Sequence, residues 1–189
     1  SACRPSAVEQ ASESPPALLL VNLGTPDAPT ASAVRRYLAE FLHDHRVVQL
    51  SRWLWCPLLH FVILPLRSPK VAVKYASVWL PGGSPLAVHT AALANAVGQR
   101  LPGWRVAHAM RYGNPSTEEV VDRMVKAGCR RIVFLPLYPQ YAGATSATAN
   151  DAFFAALKRE KRQPAVRTVR EYFDQPAYID ALAASVTRA

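Results

Sequence analysis

Four short segments constrain this chain more than anything else in it: residues 17–23, 104–110, 131–137 and 165–170. The first and third, ALLLVNL and RIVFLPL, are continuous apolar runs instead of alternating ones. A strand apolar on both faces is buried on both faces, the pattern of a parallel sheet covered by helices. Stretches of helical period separate the four. Over 30–42, Val34, Tyr37, Leu38, Phe41 and Leu42 share one face behind a Thr30 or Ser32 N-cap. Further helices are expected at 68–79, at 84–100 opened by Ser84-Pro85, from Ser116 or Thr117 to Met124, at 147–161 and at 176–187. Glu118 and Glu119 suit the first turn of the helix that begins at Ser116 or Thr117, and Gly128 closes it. The order predicts an α/β fold: a doubly wound parallel sheet of about four strands with helices on both faces.

Composition bounds the rest. With 189 residues, half of them hydrophobic, the chain suffices for one domain, expected over 17–189. Residues 1–16, rich in Ser, Ala, Glu and Pro and lacking an apolar signal region, read as a flexible tail. The net charge of +9 concentrates in 31–80 and 156–170. The second cluster (Lys158, Arg159, Lys161, Arg162, Arg167, Arg170) reads as a solvated face, and with no nucleic-acid motif beside it no nucleic-acid partner is expected. Cys3, Cys56 and Cys129 form no CxxC pair, so the chain is expected in a reducing, cytoplasmic compartment without a disulfide scaffold or zinc ribbon. Among the five histidines only His43-Asp44-His45 cluster, and they read as a polar helix end instead of a metal site. GxGxxG, GxxxxGK[ST] and GxSxG are all absent, so neither a standard phosphate loop nor a nucleophile elbow is present.

Residues 53–66 are almost wholly apolar, led by Trp53 and Trp55 and flanked by Arg52 and Arg67. Fourteen helical residues reach only ~21 Å, short of a ~30 Å hydrocarbon core, and Pro57 and Pro65 interrupt them, so a membrane span is not expected. A buried core helix and an apolar lip resting in a membrane interface both fit. With no polar face to alternate, the lip is favoured, carried by Trp53, Leu54, Trp55, Leu58 and Phe61.

Ligands of open parallel sheets sit beyond the carboxyl ends of the strands. Three such ends carry distinctive loops: Asn22-Leu-Gly-Thr-Pro26, Met110-Arg-Tyr-Gly-Asn-Pro115 and Tyr138-Pro-Gln-Tyr-Ala-Gly-Ala-Thr-Ser146. Right-handed crossovers bring all three to one edge, where an Arg, three Tyr, amides and hydroxyls offer donors to an anionic, aromatic-sized ligand.

Those loops, together with Pro69-Lys-Val-Ala-Val-Lys-Tyr75 and Gly82-Gly-Ser-Pro85, closely resemble the ferrochelatases, which insert ferrous iron into a porphyrin. The resemblance runs in order from about residue 17 to 189 and implies the first of two Rossmann-like domains around a porphyrin cleft. By it, Leu23 matches the position over one porphyrin face, a Tyr or Met in relatives. Arg67, Lys74, Tyr75 and Ser84 match cleft residues near the macrocycle or its propionates, and Arg111 and Tyr112 the pair on the side where metal arrives. Gln140, Tyr141, Thr145 and Ser146 match the loop after the third strand, which here has lost hydroxyls. Gly143 stands where some relatives supply a cysteine to an iron–sulfur cluster, so no such cluster is expected. The resemblance further implies ferrous iron and protoporphyrin IX or coproporphyrin as substrates, no bound cofactor, and a second domain and the inner membrane surface as partners. The family's catalytic His and its Glu partner are expected beyond Ala189, which leaves no catalytic residue and no metal ligand here. This chain alone is therefore expected to hold porphyrin without inserting metal, whether as half of the enzyme or as a stand-alone porphyrin- or haem-binding module.

Overall fold

The apolar runs pair as expected. The computed structural model describes residues 14–188; most of the tail read from the sequence, residues 1–13 including Cys3, lies outside them. Four strands, β1 (Ala17–Thr25), β2 (Arg105–Gly113), β3 (Arg131–Pro136) and β4 (Ala165–Thr168), form one parallel sheet in the order β2-β1-β3-β4. Central β1 is paired on both sides, Leu18 opposite Val106 and Val133. Ala17 to Val21 are all buried, and each large side chain among them contributes roughly 1.5–3 kcal/mol over its exposed state.

Successive β1 residues feed opposite layers, as a pleated strand must. Leu19 and Val21 pack with Val121, Phe134 and Phe153 under helices α5 (Thr117–Lys126) and α6 (Thr148–Arg159). Leu18 and Leu20 pack with Ala94 and Val97 of α4 (Pro85–Arg100) on the other face. Phe134 and Phe153 stack 4.2 Å apart at the centre of the first layer. Side-chain caps start three helices: Thr30 accepts from the Ala33 amide for α1 (Ala31–His43), Ser84 from Ala87 for α4 and Ser116 from Glu119 for α5. A last helix, α7 (Pro176–Thr187), buries none of its residues.

The proline-rich segment corrects the sequence reading. Pro57 and Pro65 do not interrupt it: α2 (Arg52–Leu58) runs through a π-turn (Leu59–Ile63) into α3 (Leu64–Val78), one continuous helix of 27 residues. The Leu64 amide reaches back to the Leu59 carbonyl in this widened turn, immediately before Pro65, which has no amide to donate. By length and composition alone Arg52–Val78 suffices to cross a bilayer, so the argument from 14 residues against a span fails. What fixes the helix is packing: Leu59, Leu64 and Ala72 bury against Val34, Tyr37 and Leu38 of α1 and against Tyr112. The opposite face remains open, with Trp53 90%, Phe61 82% and Leu54 78% exposed. Leu58 is exposed with them, but Trp55 turns inward and donates its indole N–H to the Leu42 carbonyl at 2.8 Å. The segment is therefore core on one side and an apolar ridge on the other.

Candidate functional site

The carboxyl ends of all four parallel strands lie at one edge of the sheet, and a buried polar centre forms there. Arg111 and Tyr112 end β2. Successive strand residues leave a sheet on opposite faces, but the long Arg111 side chain curls back, placing its guanidinium 4.3 Å over the Tyr112 ring. Both converge on Asp44, where α1 stops and the backbone turns extended. The Asp44 carboxylate accepts from Arg111 Nη2 at 2.5 Å, from the Tyr112 hydroxyl at 2.8 Å and from the hydroxyl of Thr148, the first residue of α6. Its other oxygen accepts the Arg46 amide at 2.8 Å. Thr148 Oγ1 in turn accepts Arg111 Nε at 2.6 Å.

This arrangement sets the protonation states. Burial pushes the Asp44 carboxyl up, but the hydrogen bonds from Thr148, Tyr112 and the Arg46 amide, with the Arg111 charge, more than offset it and hold Asp44 below the usual carboxylate range. Burial, supported by the Asp44 carboxylate against the Thr148 hydrogen bond and the Arg111 charge, raises Tyr112 to about 12. Desolvation likewise pushes up the phenols of Tyr37, Tyr75 and Tyr138. All four phenols stay protonated near neutral pH and do not serve as bases. Tyr138 Oη and Ser146 Oγ are buried in this region without a hydrogen-bond partner among the described residues. Beside the centre a cleft of about 380 Å³ opens, lined by Glu40, Arg111, Ser116, Glu118 and Asp151.

The sequence-expected residues divide into groups. Leu23, Tyr75 and Tyr112 share one apolar cluster with α1 and the long helix. Arg67 and Lys74 are exposed on α3, and neither forms an ion pair among the described residues. Ser84 is buried and spends its hydroxyl on the α4 cap, away from Arg111. Gln140 and Tyr141 are exposed, the Tyr141 ring under the Arg170 guanidinium at 5.2 Å. Thr145 bonds back to the Ala142 carbonyl in a π-turn (Gly143–Ala147) that leads into α6. Two members of the centre escaped sequence reasoning. Asp44 lay inside the His43-Asp44-His45 triplet, correctly read as a polar helix end but not as a partner of Arg111; Thr148 carried no local signal. The flanking His43 points elsewhere: Nδ1 bonds the Ala39 carbonyl at 2.8 Å and Nε2 lies 3.6 Å from Cys56 Sγ. No three His, Cys, Asp or Glu side chains among the described residues are grouped to hold a metal ion.

With the site's geometry in place, relationship decides its family. A family model described as Ferrochelatase matches residues 15–189. The chain belongs to the ferrochelatase family. It is 52% identical over 169 residues, 89% of its length, to a ferrochelatase of Vibrio parahaemolyticus. It is 54% identical over 172 residues, 91% of its length, to one from Xylella fastidiosa strain M12. Those matches cover 52% and 53% of the relatives, so the chain spans about half the length of the ferrochelatases it resembles.

Proposed function

We propose that this chain is the porphyrin-binding N-terminal half of an enzyme that inserts ferrous iron into protoporphyrin IX or coproporphyrin in haem biosynthesis, a lyase reaction. The observation that carries the reading is the adjacency of the buried Asp44–Arg111–Tyr112 centre to the helix bearing Arg67 and Lys74, joined through Tyr112, Ala72 and Tyr75 in one cluster. Arg67 and Lys74 lie seven residues apart, two turns along one helix face and ~10 Å from each other, a spacing suited to a dicarboxylate. Leu23 and Tyr75 supply apolar and aromatic surface for a macrocycle, and Gln140, Tyr141, Thr145 and Ser146 belong to the loop that follows β3 at the carboxyl edge of the sheet.

The base that removes pyrrole protons, and its carboxylate partner, are assigned to none of the described residues. His43 is engaged with Ala39 and Cys56, and the phenols near Arg111 are held protonated, which supports binding without turnover in this chain. Neither a bound cofactor nor an iron–sulfur cluster is part of the proposal. The exposed ridge of Trp53, Leu54, Leu58 and Phe61 supports peripheral association with the inner face of the cytoplasmic membrane.

Protoporphyrin titration with zinc insertion followed by fluorescence tests the reading. Quenching of tryptophan emission without zinc-porphyrin formation is expected. Turnover by the 189-residue chain would overturn the assignment of the base, and absence of quenching would overturn porphyrin binding.

A further inference from the structure

Arg111 invites assignment as a binding group for the porphyrin carboxylates, being the one cation at the end of β2. Its surroundings argue otherwise. Its Nη2 lies 2.5 Å from Asp44, its Nε 2.6 Å from Thr148, and its plane covers the Tyr112 ring. The Asp44 and Arg111 side chains are only 9% and 18% exposed, so they form a nearly buried neutral pair whose separation would leave an uncompensated charge. By contrast Arg67 and Lys74 are exposed and carry no ion pair among the described residues.

We propose that Asp44 is a positioning residue: with Thr148 it fixes Arg111 and Tyr112, and it withholds the Arg111 cation from carboxylate ligands. Asp44 thereby makes Arg111 part of the scaffold for the Tyr112 hydroxyl. The second half of this statement rests on the porphyrin reading; the first does not.

Two measurements on the whole chain separate them. The first is spectrophotometric titration of the tyrosines, with Tyr112→Phe identifying the contribution of that phenol. The groups facing it are Asp44, Arg111 and Thr148, with the Tyr37 and Tyr138 phenols nearby. Burial is the main reason Tyr112 is raised, but Asp44→Asn removes the anion that adds to it while Arg111 remains, so the midpoint should fall by about one pH unit or more. Asp44→Glu should restore most of the shift. An unmoved midpoint in a folded Asp44→Asn protein would overturn the positioning role, a result that a purely structural contribution to stability would give. If Asp44→Asn does not fold, Thr148→Val replaces it. That variant removes a donor to Asp44 and the acceptor of Arg111 Nε, and the Arg111 and Tyr112 contacts should loosen. A Tyr112 titration identical to that of the unaltered chain would then be the refuting result.

The second measurement compares binding of protoporphyrin IX with its dimethyl ester by tryptophan quenching. Arg67→Gln with Lys74→Gln should reduce the preference for the free acid about tenfold or more, and Asp44→Asn combined with Arg111→Gln, which removes both charges of the pair together, should leave it within about twofold. Asp44→Asn, which releases the Arg111 charge, should increase it. Loss of the preference in the Asp44→Asn, Arg111→Gln double variant would overturn the claim that Arg111 is withheld. If neither porphyrin binds, the porphyrin reading fails, while the tyrosine titration still judges Asp44.

Discussion

Gly24 lies opposite Tyr112 in the β1–β2 register, with φ at +109°. A Cβ added there would sit 1.7 Å from the Tyr112 carbonyl oxygen and 2.7 Å from its carbonyl carbon, both backbone atoms that no rotamer change can move. Two costs follow for Gly24→Ala: the side chain adopts a left-handed backbone, ~1–3 kcal/mol, and the strands must separate, another ~1–3 kcal/mol. A total of roughly 2–6 kcal/mol should lower Tm by about 5–20 °C in a chain of this size. Gly103 and Gly143 supply the controls. Gly103 has φ +83° with nothing within 4 Å of a built Cβ, so Gly103→Ala reads the backbone cost alone. Gly143 meets neither obstacle and lies in a helical turn, so Gly143→Ala should be neutral or stabilising by up to ~1 kcal/mol. Thermal unfolding followed by circular dichroism should therefore rank them Gly143→Ala, Gly103→Ala, Gly24→Ala in falling Tm. A Gly24→Ala protein that melts with Gly103→Ala would show that the close approach of the strands carries no energetic weight. Gly24→Ala should also disturb the Tyr112 titration, because the displaced carbonyl belongs to the residue that donates to Asp44.

The core and the ridge allow similar tests. Phe153→Ala should destabilise by about 3–5 kcal/mol in denaturant titrations, and a double-mutant cycle with Phe134→Ala should show coupling of about 0.5–1.5 kcal/mol beyond lost area. Folding favours ionised Asp44, whose pKa falls below the ordinary 3.8, so its contribution is complete above about pH 4 and lost as pH drops through the lower folded-state value. Acid unfolding of Asp44→Asn should accordingly show a shallower dependence on pH in that range, and an unchanged slope would mean that Asp44 is not preferentially ionised in the fold. Leu58→Glu with Phe61→Asp should weaken co-sedimentation with anionic lipid vesicles while circular dichroism stays unchanged; loss of the fold would show that these exposed positions are core after all.

The sheet was legible because its evidence is local. Continuous apolar runs announced β1 and β3 as strands buried on both faces, and Thr30, Ser84 and Ser116 announced the helix starts their side chains now cap. Pro57 and Pro65 suggest an interruption in the long helix because a proline inside a regular helix removes a hydrogen bond, whereas a π-turn before Pro65 shifts the hydrogen-bond partners. Trp55 was misplaced for a different reason: an almost uniformly apolar segment carries no period that tells an inward indole from an outward one. At the site, Arg111 and Tyr112 stood out in their loop, but Asp44 lies 67 residues from Arg111 and Thr148 37 residues beyond it. Only the crossovers of the sheet bring those positions within bonding distance, and a carboxylate whose partners lie that far away leaves no mark in its own neighbourhood.

The end of α1 is finished by another helix as well as by its own backbone, where the Asp44 amide bonds the Phe41 carbonyl. Arg52 donates to the His43 carbonyl at 3.2 Å and Trp55 to that of Leu42, so two carbonyls that a helix normally leaves to water are held by α2. Asp44 is the next residue. The long helix and the Asp44 carboxylate are consequently joined through two peptide groups of α1, in addition to the direct packing of Leu59, Leu64 and Ala72 against Tyr112.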